Sequence, residues 1–276
     1  MAVDNSAIIS KARENVFNNG LADVITCVSG RIEDVTLPVP KVDIIISEWM
    51  GYCLLYEAML PSILWARDKY LQPDGLLVPS HATIWAAPVS DEGYVEDNIS
   101  FWKDVYGFNM TSMQEGIYDD VRMQHIPGAS LCGQPFPVSQ LRLHQTTVAD
   151  LTFKAPWATK LSRDVDNVDG FLVWFDIFFA RSREDNSSEN MAAAQWADEQ
   201  GGKVAFTTGP SGTETHWRQG LLLAPPTEGE SPLKSGSDVV GDLSFAAREK
   251  DARALKIDVR WSTSADGTSR SRSWLL

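Results

Sequence analysis

The sequence predicts an α/β domain followed by an all-β domain, and three observations support this. Strand-like and helix-like segments alternate up to about residue 79, which is typical of a doubly wound sheet. Val42 to Ile46 is a run of branched residues without a polar face, as expected of a strand buried on both sides. From Ala82 onward, short alternating runs are broken by Gly, Pro and Asp, which is typical of a β-sandwich or barrel.

Local signals place the elements of the first part. Asn5-Ser6 can cap a helix, and Asn19-Gly20 can end one. Pro61 is tolerated within a helical pattern only as a bend or a new first turn. The run at 72–75 (QPDG) predicts a turn. In order, the predicted elements are a strand at 2–4, a helix at 7–18, strands at 23–29 and 42–47, a helix at 54–70, and a strand at 76–78.

The second part holds three segments that do not follow the strand pattern. Residues 91–122 are rich in aromatic side chains and show helical spacing, as expected of a helical excursion that packs on its own domain. Residues 181–203 are polar and predict a mobile insertion with a short helix near 191–196. Residues 225–236 predict a surface turn, because they are rich in Pro, Gly and Ser.

Composition excludes several classes of protein. The net charge of −13 disfavours direct binding to nucleic acid and favours basic partners. The cysteines Cys27, Cys53 and Cys132 form neither a disulfide framework nor a metal pair, which favours the reducing cytoplasm or nucleus. The four histidines show no metal-ligand spacing, so no metal is expected. No run of 18 apolar residues is present, so no membrane span is expected.

The segment from Val42 to Met59 carries the strongest chemical signal. Its buried-strand run ends at Ser47-Glu48, Gly51 permits a tight reversal, and Glu57 follows nine residues after Glu48. Two converging carboxylates among aromatic side chains suit a planar guanidinium, whose N–H donors pair with carboxylates in bidentate fashion. Two alternatives are solvated surface acids and the carboxylate pair of a glycoside hydrolase.

Three more residues are candidates with open alternatives. Asp4 ends the first strand, where an acid in doubly wound folds commonly accepts ribose hydroxyls, but it also suits a helix N-terminus. Glu33 follows the next strand and is a weak signal by itself. His216 stands in Thr215-His216-Trp217 and is either a packed histidine or an acid–base group.

The string SEWMGYCLLYE, eleven residues ending at Glu57, resembles the double-E loop of the protein arginine N-methyltransferases. The sequence Thr215-His216-Trp217 is similar to that family's THW loop. The chain resembles the type I enzymes, which form asymmetric dimethylarginine. The segments GLADVIT and WARDKYLQPDGLLVPSHATIW look similar to the fungal branch of the third class, the ribosomal-protein-type enzymes.

The resemblance implies a fold, a cofactor and partners. It implies a Rossmann-like S-adenosylmethionine-binding domain over 1–79 and a β-barrel substrate domain over 80–276, with a dimerisation arm at about 91–122. The cofactor would be S-adenosyl-L-methionine. The partners would be arginine-rich ribosomal proteins, RNA-binding proteins or histones, and a second copy of the enzyme.

The resemblance also implies roles for particular residues. Catalytic roles would fall to Glu48, Glu57 and His216. Substrate-binding roles would fall to Trp49, Met50, Tyr52, Met59 and Trp217. Cofactor-binding roles would fall to Asp4, Ile32 and Glu33. Met50 and Met59 suit a hydrophobic core equally well, because methionine fills irregular gaps.

One departure from the family pattern affects the expected activity. The family's first strand, Gly-rich GxGxG turn and N-terminal helix have no counterpart before Asp4. That strand lies centrally in the family's sheet, and unpaired buried backbone groups cost about 1–3 kcal/mol each. We therefore expect this N-terminally truncated stretch to bind the cofactor poorly and to be inactive or impaired. The alternative is a pseudoenzyme that retains the barrel as a protein-interaction module.

Overall fold

The computed structural model describes residues 1–185, 191–199, 204–226, 232–263 and 268–276. The elements, in chain order, are β1 (Ala2–Asp4), α1 (Ile8–Asn18), β2 (Cys27–Ser29), β3 (Val42–Ile46), α2 (Leu60–Tyr70), β4 (Leu71–Val78), β5 (His81–Val89), α3 (Glu92–Asn98), β6 (Arg122–Gln124), β7 (Phe136–Arg142), β8 (Phe153–Lys160), β9 (Gly170–Phe179), α4 (Ala193–Glu199), β10 (Val204–Thr207), β11 (Gln219–Leu223), β12 (Asp238–Arg248), β13 (Asp251–Thr263) and β14 (Ser269–Leu275). None of these helices is long and apolar enough to cross a membrane.

The first part is an α/β unit built from two parallel strand pairs, as the alternating pattern predicts. β1 pairs with β2, and β3 pairs with β4. Across the described residues the two pairs share no ladder, and Ile44 and Ile46 are 51% and 77% exposed. The prediction that the strand at Val42 to Ile46 is buried on both sides is therefore wrong, because no described strand or helix covers these two side chains. β2 is shorter than the predicted strand at 23–29, because turn hydrogen bonds from the amides of Val24 and Ile25 reach the carbonyl of Leu21.

Two boundaries near the loop after β3 differ from the sequence prediction. α2 begins at Leu60 rather than at residue 54, because residues 51–58 form tight turns that are incompatible with a helix. Pro61 stands in the first turn of α2, as its missing amide hydrogen allows. The predicted turn at 72–75 is an interruption within β4, whose register shifts from Val42↔Leu71 to Ile44↔Leu76.

The second part contains two antiparallel sheets around one core. One sheet has the order β6-β11-β9-β5-β7, with β10 also paired to β9, and the other has the order β14-β13-β12-β8. Side chains from both sheets meet in the core, where Trp157 stacks on Phe136 at 4.6 Å and meets Phe171 edge-on at 5.4 Å. Among the described strands the ladders form two separate sheets rather than one closed barrel, since none joins β7 to β8.

Two segments cover the outside of the larger sheet. Residues 91–122 begin with α3, whose cap is the Asp91 carboxylate accepting from the Tyr94 amide at 2.9 Å. The helix predicted near 191–196 is α4, and its Trp196 is fully buried against Phe178 at 5.7 Å. The remaining predicted insertion at 186–190 and 200–203, and much of the predicted surface turn at 227–231, lie outside the described residues.

A side-chain clamp joins α2 to the second part of the chain. Nη1 of Arg67 donates to the carbonyls of Leu143 and Thr146, at 2.6 Å each. Nε of Arg67 donates to Asp68 at 2.7 Å, and the Arg67 side chain is only 12% exposed. α2 also buries Leu60, Ile63, Leu64, Ala66 and Tyr70. The helix is therefore held to both halves of the molecule.

Replacing Arg67 with methionine should lower the free energy of unfolding by about 2 kcal/mol, because two partly buried carbonyls lose a charged donor. Urea denaturation followed by circular dichroism measures the change. Lys11→Met is the control, since the Lys11 side chain is 73% exposed and its loss should change stability by less than about 0.5 kcal/mol. Equal losses in the two variants would show that the clamp contributes nothing.

Candidate active site

The loop from Ser47 to Met59 is closed by reciprocal hydrogen bonds of its own backbone. The amide of Gly51 donates to the carbonyl of Leu54, and the amide of Leu54 donates back to Gly51, both at 3.0 Å. A Cβ atom at Gly51 would lie 1.9 Å from the carbonyl oxygen of Tyr56. Only glycine therefore fits at this position.

Four non-glycine residues of this loop have positive φ. The angles are 48° at Cys53, 73° at Leu54, 75° at Glu57 and 54° at Ala58. Each such residue costs about 1–2 kcal/mol relative to an ordinary backbone conformation. Burial of the loop in the main core offsets this cost, since Leu54 is fully buried and Cys53 is 2% exposed.

The second part of the chain holds the loop at Glu57. The amide of Glu57 donates to the carbonyl of Arg253 at 2.8 Å. Arg253 lies near the start of β13, where its own amide donates to the side chain of Asp251 at 3.0 Å. This contact fixes the backbone from which the Glu57 side chain projects.

The two predicted acids are exposed, and within the described residues neither has a hydrogen-bond or ion-pair partner for its carboxylate. Of the predicted aromatic frame, Tyr52 is 38% exposed and stacks on Tyr56 with 6.1 Å between ring centroids. Trp49 is instead 3% exposed and packs in the core. The substrate role assigned to Trp49 remains a prediction.

The segment Thr215-His216-Trp217 meets this loop, although it is distant in sequence. Nε1 of Trp217 donates to the carbonyl of Met50 at 2.9 Å. The Trp217 ring stacks on Phe206 at 5.6 Å and meets Phe175 edge-on at 5.8 Å. His216 is exposed, and its ring lies 3.9 Å from that of Trp217. The structure thus brings His216 and Trp217 to the loop that carries both acids.

A cleft of about 740 Å³ lies beside the loop, between the two parallel strand pairs. This volume is within the usual range for small-molecule sites. Ser47 and Met59, the two ends of the loop, both contribute to its wall. Its lining includes the three predicted cofactor residues, Asp4, Ile32 and Glu33.

The carboxylates of Asp4 and Glu33 in the cleft each accept a hydrogen bond from a serine hydroxyl. Asp4 accepts from the amide and the hydroxyl of Ser6, at 2.7 and 2.6 Å. The Ser6 hydroxyl and then the Ser6 amide lower the pKa of Asp4. Glu33 accepts from the hydroxyl of Ser62 at 2.5 Å, and this bond, ahead of the nearby Arg31, lowers the pKa of Glu33. Both groups are therefore carboxylates at neutral pH.

These residues fit a nucleoside. Carboxylates can accept the hydroxyls of a ribose and an amine of a base, and Ile32, Ile63 and Met59 offer apolar surface for the ring. Met50 differs from Met59, because it is 8% exposed and belongs to the core, whereas Met59 is 44% exposed.

Ser62 and Arg253 are among the lining residues of the cleft that sequence reasoning missed. Ser62 lies in the first turn of α2, and Arg253 lies at the start of β13. Neither Ser62 nor Arg253 belongs to a recognisable sequence motif. Each lines the cleft because the fold brings it close to residues that are distant in sequence. A partial signal existed for Ser62, because it follows Pro61, which marks the start of the helix.

The fold is similar to that of a methyltransferase domain joined to a β domain. Residues 80–266 match the family model of the arginine methyltransferase oligomerization subdomain. The chain is 40% identical over 275 residues to the ribosomal protein arginine N-methyltransferase rmt3 of Schizosaccharomyces pombe. It is 36% identical over 280 residues to protein arginine N-methyltransferase 1 of Saccharomyces cerevisiae. The chain therefore belongs to the protein arginine methyltransferase family, as the double-E and THW motifs indicate.

The alignments differ in how much of each relative they cover. They include 100% of this chain but 48% of the fission-yeast protein, and 99% of this chain with 73% of the budding-yeast protein. The chain thus spans about half the length of the first of these relatives.

Solved structures agree with the family. A Trypanosoma brucei PRMT1 enzyme–prozyme heterotetrameric complex with AdoHcy is similar with a TM-score of 0.81 and 27% identity, covering 99% of this chain and 80% of that chain. Arabidopsis thaliana protein arginine methyltransferase 10 is similar with a TM-score of 0.77 and 25% identity, covering 99% of this chain and 81% of that chain.

Gly51→Ala should destabilise the protein by about 3 kcal/mol, because its Cβ would overlap the carbonyl of Tyr56. Gly20→Ala is the matched control. Gly20 has φ +67° and no atom within 4 Å of the position that a Cβ would occupy, so this variant should lose only about 1 kcal/mol through backbone strain. Thermal unfolding measures both. A Gly51 variant as stable as the Gly20 variant would contradict the described loop geometry.

Proposed function

We propose that this chain has the function of an S-adenosylmethionine-dependent protein arginine N-methyltransferase, which transfers a methyl group to a guanidinium nitrogen of arginine in a protein, and that its activity is impaired, because its two parallel strand pairs share no ladder across the described residues. One observation carries the proposal. A single strained loop presents Glu48 and Glu57 to solvent without a cationic partner among the described residues, beside a nucleoside-sized cleft.

The two carboxylates would bind and orient the substrate guanidinium. Arginine stays protonated because its pKa exceeds 12, so its charge must be localised away from the nitrogen that reacts. Bidentate pairing with Glu48 and Glu57 would fix the plane of the guanidinium and leave one nitrogen facing the cleft. Such placement of two reactants contributes much of the rate enhancement of a transfer reaction.

The cleft would hold the cofactor. Asp4 would accept the ribose hydroxyls, Glu33 would accept the adenine amine, and Ile32 and Met59 would contact the ring. When bound, S-adenosylmethionine supplies a methyl group on a sulfonium sulfur. Glu48 and Glu57 would also offset the repulsion between the sulfonium and guanidinium cations.

The entrance would be formed by the THW segment and the exposed tyrosine. Trp217 is locked by its hydrogen bond to Met50, so it provides a fixed wall, and Tyr52 is exposed to solvent on the same loop. His216 and the two glutamates are the groups at this loop that can accept the released proton.

We further propose asymmetric dimethylarginine as the product and basic proteins as the substrates. The net charge of −13 favours association with arginine-rich partners. The fission-yeast relative is named a ribosomal protein arginine N-methyltransferase, which supports ribosomal proteins as candidates. RNA-binding proteins and histones are further candidate substrates, because they are also basic.

A homodimer through the arm at 91–122 also belongs to the proposal. The arm exposes Tyr106 at 95% and Phe108 at 72%, which is unusual for aromatic side chains on a monomer surface. The match of residues 80–266, which include the arm, to the oligomerization subdomain supports self-association through this part of the chain.

Glu48→Gln and Glu57→Gln should each lower methyl transfer to an arginine-rich peptide by roughly 100-fold, because each removes a charge that stabilises the transition state. Transfer of radiolabelled methyl from S-adenosylmethionine measures the rate. Glu14→Gln, which alters a carboxylate 59% exposed on α1, should change the rate by less than about twofold. Transfer that is unaffected by both active-loop variants would refute the assigned roles.

Phe108→Asp should weaken self-association of the chain by at least about tenfold, because a charge would be buried in an apolar contact. Sedimentation velocity over a concentration series measures this. Val148→Asp is the control, because Val148 is 57% exposed and lies outside the arm. A wild-type chain that remains monomeric at high concentration would rule out the dimer.

A further inference from the structure

A short helix, α4, covers part of the outer face of the larger sheet. Trp196 of α4 is fully buried, and its ring lies 5.7 Å from that of Phe178 on β9 and 6.3 Å from that of His81 on β5. Ala193, three residues earlier in the chain, is 4% exposed and belongs to the same small cluster of buried side chains. Because α4 has only seven residues, it depends on such packing to remain a helix on the sheet.

A buried acid lies beside this anchor. Asp176 on β9 is 2% exposed, and its Oδ2 accepts a hydrogen bond from the amide of Ala193 at 2.8 Å. The bond holds the first residue of α4, but it also requires a carboxylate to leave water, which is costly. The docked helix therefore covers a charge as well as an apolar surface.

Docking of α4 and protonation of Asp176 are linked. Burial raises the pKa of Asp176, against the opposing effects of the Thr207 hydroxyl on β10, then the Ala193 amide, then Trp85 on β5. His81 on β5 is a further titratable side chain near α4. Since α4 supplies part of this burial, docking is tightest below the ordinary pKa of an aspartate. It weakens as the pH rises through the raised pKa of the docked state.

The same acid adjoins the apolar cluster that supports the arm at 91–122. Trp85, which lies next to Asp176, is buried in one cluster with Trp174 and with Ile99 of the arm. Ala192, the residue before α4, packs against this cluster as well. α4 and the base of the arm therefore share one set of buried side chains. Because protein interiors are close-packed, a shift of α4 changes the packing beneath Ile99.

We infer that α4 is a proton-linked latch for self-association: docked α4 holds the base of the arm in the orientation that meets a second copy of the chain, and ionisation of Asp176 loosens it. The inference rests on the proposed homodimer and adds the element that regulates its contact. Trp196 and Asp176 act in opposite directions, because the ring holds α4 on the sheet and the buried charge opposes docking. Loss of the ring should weaken the dimer, and loss of the charge should strengthen it.

Sedimentation velocity of the full chain over a concentration series measures the effect of the ring. Trp196→Ala should weaken self-association by about fivefold or more, which is the lower end of ordinary coupling between two sites. Trp196→Phe keeps an aromatic ring in the same place and should restore association to within about twofold of the wild type.

The same measurement tests the charge. Asp176→Asn keeps an oxygen that can accept from the Ala193 amide but cannot ionise. This variant should associate about threefold more tightly than the wild type near neutral pH. It should also lose the weakening that the wild type shows as the pH rises from about 5 to about 8. Asp150→Asn is the matched control, because it removes an exposed carboxylate outside the arm and α4 and makes the same change in net charge.

Fluorine NMR of the chain labelled with fluorotryptophan follows the docking of α4 directly. The signal that disappears in Trp196→Phe belongs to Trp196. In the wild type this signal should move toward the position of a solvent-exposed ring as the pH rises, and in Asp176→Asn it should stay constant.

The outcomes separate the latch from the dimer. A wild-type chain that is monomeric at every concentration would overturn both. Equal self-association of the wild type and Trp196→Ala would overturn the latch and leave the dimer intact. Asp176→Asn that associates no more tightly than Asp150→Asn would overturn the role of the charge, as would a Trp196 signal that does not change with pH.

Discussion

The geometry of the site depends on holding a strained loop in one conformation. Four non-glycine residues between Gly51 and Met59 adopt positive φ, which together costs several kcal/mol. Burial of Trp49 and Leu54 in the main core opposes this, at about 1.5–3 kcal/mol per large apolar side chain. Trp49 and Leu54 lie in the same loop as Glu48 and Glu57. Their burial in the core therefore helps to fix the backbone from which the Glu57 side chain projects.

α2 extends this dependence to the cleft. The helix begins directly after the loop, forms one wall of the cleft, and ends in β4, which pairs with β3. Arg67, in the middle of α2, donates a hydrogen bond to the turn after β7. Ser62, in the first turn of α2, donates a hydrogen bond to the Glu33 carboxylate and so links Glu33 to the helix. Glu33, which is expected to bind the nucleoside, and Glu57, which is expected to bind the arginine, are therefore both attached to α2. This is necessary for a transfer reaction, whose two reactants must keep a constant separation.

The sequence predicted local features well and long-range ones poorly. The strand at Val42–Ile46 and the acids beyond it follow from apolar runs and turn residues, which are properties of neighbouring positions. The start of α2 at Leu60 was missed, because helical spacing over 54–59 is overridden by tight turns that local backbone hydrogen bonds close and burial in the core stabilises. Arg67 and Arg253 make contacts with residues far away in sequence, and a single sequence carries no signal for such pairs. Alternation left a β-sandwich and a barrel both open for the same reason, since it predicts strands but not which strands pair.

The chemistry of the acid pair follows from how Glu57 is anchored. Arg253 contacts Glu57 through its main-chain carbonyl, and within the described residues its guanidinium forms no ion pair with either acid. An ion pair there would have positioned Glu57 equally well but would have neutralised it. A main-chain anchor fixes the position and leaves the charge free. Both carboxylates face water, which keeps their mutual repulsion small at high dielectric. A guanidinium that covers them would displace that water, so the attraction would strengthen as the site closes around the arginine.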